Sequence, residues 1–283
     1  MVSNHILIAT DFSDEWAERL PETIMFLKTL GATVSIAHVI TSGFKLWLKS
    51  GQVEAEASQR LEHWLALMRE QGVKTGGAFV RSGNAAEEIL AVAEQQRADA
   101  VMIAADEKRT ILGSTAESIV RAAKQSVWVY HADKKFAGIR RVACACDLSE
   151  PSAKALRKAA NLAAECGAKL DVLYCINLPD ANTLGMSAAE ERELYERYKK
   201  ERGAEFSAFI SSTLADYSLL QSGLAQHILW GKPAQAVATF VGDAQADVLV
   251  LGAKGKSNLQ ILTLGSTAHS ILRQSPCSLF ITR

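Results

Sequence analysis

Near the end of the chain, Gly252-Ala253-Lys254-Gly255 is followed after a nine-residue spacer by Gly265-Ser266-Thr267, and an apolar run from Asp247 to Leu251 leads straight into the first glycine. Residues of these types in this order suit an anion. Glycines let a backbone turn tightly and present its N–H groups, and Gly265-Ser266 would open a helix whose first-turn amides lack intrahelical acceptors and lie at the positive dipole end. The pattern predicts a phosphate cradle. Gly255-Lys256-Ser257 also reads as the end of a Walker A loop, but that loop needs a glycine at position 250, where Val250 stands. A lone glycine pair in a βα loop would carry no such meaning. Here the spacing, the preceding strand and the following helix coincide.

Other reactive residues give weaker signals. Cys144 and Cys146 alternate along one segment and so share a face, with Cys175 expected on the neighbouring strand, which would allow three sulfur ligands for zinc. No fourth ligand is evident and neither C-x-x-C nor His-x-x-x-His occurs, so small buried thiols are the better account and no metal site is assigned. His38, His63, His131, His227 and His269 are scattered without a paired nucleophile. Ser13 and Ser149 each follow an aspartate at a strand-to-helix junction without a Gly-x-Ser-x-Gly elbow, and read as helix caps. No catalytic residue emerges.

These residues must be positioned by a repeated scaffold. Asp11-Phe12-Ser13 matches Asp147-Leu148-Ser149, Leu30-Gly31-Ala32 matches Cys166-Gly167-Ala168, Ala98-Asp99 matches Ala246-Asp247, and Gly113-Ser114-Thr115 matches Gly265-Ser266-Thr267. In the first copy, strands are expected at His5 to Ala9, Thr33 to Ile40, Lys74 to Val80, Ala100 to Ala104 and Val127 to His131. Helices are expected at Asp14 to Leu30, Val53 to Gln71, Ala85 to Gln96 and Thr115 to Ala123. Strand and helix in strict alternation predict an α/β fold, two tandem five-stranded parallel-sheet Rossmann-like domains with helices on both faces, spanning 1–133 and 138–283. Ligands of such sheets bind beyond the C-terminal strand ends, where strand order reverses. In the second copy that point joins Ala145-Cys146-Asp147 to Leu251-Gly252. Asp147 is placed to accept from a base or ribose while the loop faces phosphates, or else to cap the next helix.

With 283 residues, 48% hydrophobic, the chain has room for two ordinary cores. Thirty-one basic residues balance 31 acidic ones with no charged tail, which argues against nucleic-acid binding. No apolar run approaches the roughly 18–20 residues of a membrane helix, and Met1 to Thr10 lacks the pattern of a signal peptide, so a soluble, cytoplasmic protein is expected. All five cysteines fall in the second half in no framework spacing, predicting reduced thiols. Phe44 to Lys49 reads as an apolar flap over its own sheet. The charged run Glu190 to Arg202 reads as a solvated helix, with a lid over the ligand as a secondary role.

Together these residues resemble the universal stress protein family in its tandem form. Gly252, Gly255, Gly265 and Ser266 reproduce the spacing of that family's ATP-binding signature, supported by the Asp-x-Ser step and by Gly231-Lys232-Pro233. The resemblance implies ATP, with Mg²⁺ as a companion, in the C-terminal domain. Ala145, Cys146 and Asp147 would border adenine and ribose, and Cys175 would lie on the base. Gly265, Ser266 and Thr267 would hold phosphates, with Lys254 or Lys256 neutralising charge. The family usually has proline or valine and then threonine before the aspartate, and valine at position 175, where this chain differs. The first copy has Ala104-Ala105-Asp106-Glu107 in place of the early glycines, and is expected not to bind ATP in the family manner. The resemblance further implies that the two last strands pair across a pseudo-twofold as an intramolecular pseudo-dimer. Homodimerisation and protein partners stay open. A stress-response module governed by ATP occupancy is the expected function, with a slow ATP hydrolase or a nucleotide-independent scaffold as alternatives.

Overall fold

The computed structural model describes residues 4–41, 50–104, 113–131, 138–177, 187–217, 223–255 and 264–283. The first half runs β1 (His5–Thr10), α1 (Asp14–Glu18), α2 (Leu20–Leu30), β2 (Thr33–Ile40), α3 (Ser50–Glu70), β3 (Lys74–Ser82), α4 (Ala85–Gln95), β4 (Ala100–Ala104), α5 (Ser114–Ala122) and β5 (Ser126–Tyr130). The second runs β6 (Arg141–Cys146), α6 (Glu150–Cys166), β7 (Lys169–Ile176), α7 (Ala188–Thr213), β8 (Leu224–Trp230), α8 (Pro233–Asp243), β9 (Val248–Gly252), α9 (Ser266–Leu272) and β10 (Ser278–Thr282). The expected α/β class and the parallel five-stranded unit are present in both halves.

The strands form one ten-stranded sheet in the order β3-β2-β1-β4-β5-β10-β9-β6-β7-β8. Pairing is parallel within each half and antiparallel at the seam, where Leu279, Phe280 and Ile281 face Val129, Trp128 and Val127. The expected pairing of the two last strands is therefore present, and it removes two edges that would otherwise expose unpaired backbone groups. Phe280 stacks on Trp128 with ring centroids 4.3 Å apart, and both are fully buried. Lys158 Nζ of α6 donates to Ser126 Oγ across the seam at 2.8 Å, and Arg283 Nη2 donates to the Val120 carbonyl at 2.5 Å. One apolar layer lies on each face of the sheet, and each layer contains residues from both halves.

The repeat extends to individual torsions. Phe12 and Leu148 adopt φ of 59° and 64°, Arg97 and Gln245 both 51°, and Gly31 and Gly167 64° and 63°, the last pair ending α2 and α6. Asp99 Oδ2 accepts from the N–H groups of Asn4 and His5, and Asp247 Oδ2 from those of Arg140 and Arg141. Each aspartate thus ties the start of the first strand of its half to the fourth.

The helix expected over Asp14 to Leu30 is in fact two helices that meet at Arg19, with Pro21 in the first turn of α2. Proline has no N–H to give Ala17 and its ring crowds that carbonyl, so a continuous helix is broken there although its apolar period continues. The charged run Glu190 to Arg202 lies in the N-terminal part of α7, where most of the described side chains are exposed but Tyr195 packs edge-on against Trp230 at 4.6 Å, and Phe206 and Ile210 further along are buried against the sheet. With 26 residues against 21 in α3, α7 holds part of the extra length of the second half. The apolar segment Phe44 to Lys49 lies outside the described residues.

Candidate functional site

In the second half, β6 and β9 lie side by side, with Ala145 opposite Leu251, and strand order reverses between them. Asp147 leaves the end of β6 and Gly252 ends β9, so the aspartate and the glycine loop share the C-terminal edge of the sheet. The loop is closed on itself, since the Gly265 N–H donates to the Ala253 carbonyl at 2.9 Å and the Ala253 N–H donates to Thr282 O at 2.9 Å.

Close approach sets the glycines at two of the three positions, Gly252 and Gly255. None of Gly252, Gly255 and Gly265 has a positive φ, so what sets glycine apart here is the space a side chain would need and not a left-handed backbone. A Cβ on Gly255 would stand 2.6 Å from Asp147 Oδ2, and one on Gly252 would stand 3.2 Å from the carbonyl oxygen of Pro151 in the first turn of α6. Gly265 has more room, with its nearest neighbour, Ala253 O, at 3.6 Å. The loop is therefore pressed against the β6–α6 junction, and Asp147 is one wall of it.

Asp147 is not the cap of α6. Ser149 is the N-cap, in a reciprocal capping box with Ser152, and Asp147 Oδ1 accepts from both the N–H and the hydroxyl of Ser149. The alternative role considered for Asp147 is thereby corrected, because an aspartate two residues before the cap orients the turn instead of closing the helix. Ser13 occupies the same place before α1 but makes no side-chain cap bond.

The remaining candidate residues spread around this junction. Ala145 is half-buried, and Cys146 is buried with its Sγ 3.7 Å from that of Cys144. That contact, burial and the Asp147 charge push the Cys146 thiol well above its ordinary pKa. Cys175, on β7, donates its thiol to the Gly231 carbonyl at 3.3 Å, and burial pushes its pKa up to about 11. Both cysteines are thus neutral thiols at physiological pH. Lys254, Ser266 and Thr267 are exposed, whereas Lys256 lies outside the described residues. Among those residues no group of three His, Cys, Asp or Glu side chains is placed to hold a metal, and no helix is long and apolar enough to cross a membrane.

Two constellations gave no local signal in the sequence. In the first half a tilted ring cluster packs between the end of β1 and α3, with Phe12 4.3 Å from the His38 ring and 5.5 Å from Trp64, and the Arg60 guanidinium 4.7 Å from the Phe12 centroid. His38 also contacts the Thr10 carbonyl through Nδ1 at 2.9 Å, and burial lowers its pKa. At the opposite end of the second half's sheet, buried Asp171 accepts from Arg141 Nε at 2.6 Å and pairs with His227 Nε2 at 2.8 Å. The first half places His5, Ser35 and the Gly77 N–H in the corresponding contact. That the same place carries different residue types is why pattern matching could not find it.

A doubly wound parallel unit repeated in one chain, with an aspartate and a glycine loop meeting at the second copy's switch point, defines a tandem Rossmann-like α/β protein. The profile of the Universal stress protein family matches residues 3–131 and again 138–283. The chain belongs to that family. A universal stress protein of Methanocaldococcus jannaschii is 24% identical over 144 residues, covering 51% of this chain and 82% of its own length. One from Thermus aquaticus is 30% identical over 119 residues, covering 41% of this chain and 79% of its own. Among solved structures, a universal stress protein from Archaeoglobus fulgidus covers 100% of this chain and 97% of its own at 21% identity, with a TM-score of 0.68. That likeness bears on the fold.

Proposed function

We propose that the second half binds ATP, with Mg²⁺ carried on its phosphates, and that the protein acts in the cytoplasm as a stress-response module whose partner choice follows nucleotide occupancy. The observation that carries this is the close approach of Gly255 to Asp147, where a single methyl group would stand 2.6 Å from the carboxylate. A loop kept bare of side chains beside a fixed acceptor suits a ligand with hydroxyl donors at one end and phosphates at the other. Asp147 accepts from the ribose, and Ala145 and Cys146 line the base and sugar. Cys175, neutral at working pH, supplies an uncharged wall for the base. Gly252, Gly255, Gly265, Ser266 and Thr267 offer N–H groups and hydroxyls to the phosphates, and exposed Lys254 neutralises charge. The first half does not bind ATP in this manner, because Ala104-Ala105-Asp106-Glu107 stands where the second half has its early glycines and puts negative charge where phosphates would sit.

The test is mass spectrometry of nucleotide released on denaturing purified protein, beside the variant Gly265→Val. About one ATP per chain, absent from the variant, is the expected result. Protein that emerges empty and ignores added ATP and Mg²⁺ overturns the proposal.

A further inference from the structure

At the far edge of the second half, β8 and α8 enclose an open groove of about 470 Å³ that adjoins the proposed nucleotide site at Gly231, whose carbonyl accepts from Cys175, and runs away from it along α8 to Asp243. The repeat explains its origin. Counting from the paired glycines Gly83 and Gly231, the position of Arg81 is taken by Leu229, that of Glu88 by Ala236, and that of Gln95 by Asp243. In the first half Arg81 reaches from β3 to α4, donating through Nη2 to Gln95 Oε1 at 3.2 Å, and the Glu88 side chain leans towards Gly83. The second half has shortened both side chains, which opens the groove. It has also put a carboxylate where the first half accepts a guanidinium. Leu229, Ala236 and Asp243 all line the resulting space.

We propose that this groove binds an extended peptide segment of a partner protein through an arginine whose guanidinium pairs with Asp243, reproducing between two chains what Arg81 and Gln95 do within one. A peptide is favoured because β8 ends the sheet and, among the described residues, pairs only with β7, leaving its outer N–H and C=O groups for an added strand. Lys232 lines the other end of the groove, about 16 Å away along an 11-residue helix. Four positions of an extended chain span about 13 Å and keep an arginine and an acidic residue on one face, and the long Lys232 side chain covers the remaining few ångströms.

The test is fluorescence anisotropy on the whole protein with labelled pentapeptides Arg-Val-Thr-Val-Glu and Glu-Val-Thr-Val-Arg. At least one order is expected to bind, and replacing its arginine by neutral citrulline should weaken it by roughly tenfold or more. Leu229→Arg should abolish binding by filling the groove as Arg81 fills its counterpart, with unchanged circular dichroism, and Asp243→Asn should match the citrulline loss. The proposal is overturned if neither peptide binds, if citrulline is tolerated, or if Leu229→Arg binds like the unaltered protein. Displacement of the peptide by an equal concentration of free arginine would assign a small-molecule site and equally overturn it.

Discussion

Two contacts concentrate the chemistry at the scale of single residues. Gly255→Ala places a methyl group against Asp147, whereas Gly265→Ala meets nothing closer than 3.6 Å. ATP affinity should fall by roughly tenfold or more in the first variant and much less in the second, as calorimetric titration would show, with thermal midpoints little changed. At Asp171, burial alone would raise the carboxyl pKa, but the bonds from Arg141 and His227 outweigh it and hold the pKa below its usual range. A carboxyl more acidic in the folded than in the unfolded state stabilises above its unfolded pKa, and that stability is lost as pH falls through the folded value. Urea midpoints of the unaltered protein should therefore drop more steeply below about pH 4 than those of Asp171→Asn. The carboxylate of Asp147 and the glycine spacing were legible in the sequence because both are local patterns. Their contact, and the Arg141-Asp171-His227 cluster, join residues far apart along the chain and leave no local trace.

At the scale of elements, the two halves use one plan with different fastenings. Ser149 closes α6 through a reciprocal capping box, while Ser13 stands before α1 without a side-chain cap bond. Ser149→Ala should therefore cost about 1 kcal/mol in denaturant unfolding and also weaken nucleotide binding through Asp147, and Ser13→Ala should be nearly neutral. Strand positions were readable to within a residue or two because apolar runs such as Val248 to Leu251 are bounded by aspartate and glycine. The break at Arg19 was not, because the apolar face of α2 continues the period of α1 and masks what Pro21 does to the backbone.

At the scale of the molecule, the stacked pair Trp128 and Phe280 sits where the two sheets become one. Replacing Phe280 by alanine should cost about 3–5 kcal/mol, and circular dichroism and tryptophan fluorescence should still follow one shared transition at the lower midpoint. Two separated transitions would show that the halves fold independently across the seam. The tandem α/β plan was legible from the repeat itself, whereas the continuity of both apolar layers across the seam depends on side chains of two strands that are last in their own halves.

The antiparallel seam also fixes which way the molecule faces. Because strand direction reverses at β5 and β10, the strand ends bearing Asp11 and those bearing Asp147 open on opposite rims of the sheet. Two visitors could therefore dock at once without touching. In a dimer of identical chains every substitution is made twice, so both rims must change together. Here the copies are fused, and one rim can keep its bare glycines while the other gives them up, giving the chain a polarity that no pair of equal subunits can have.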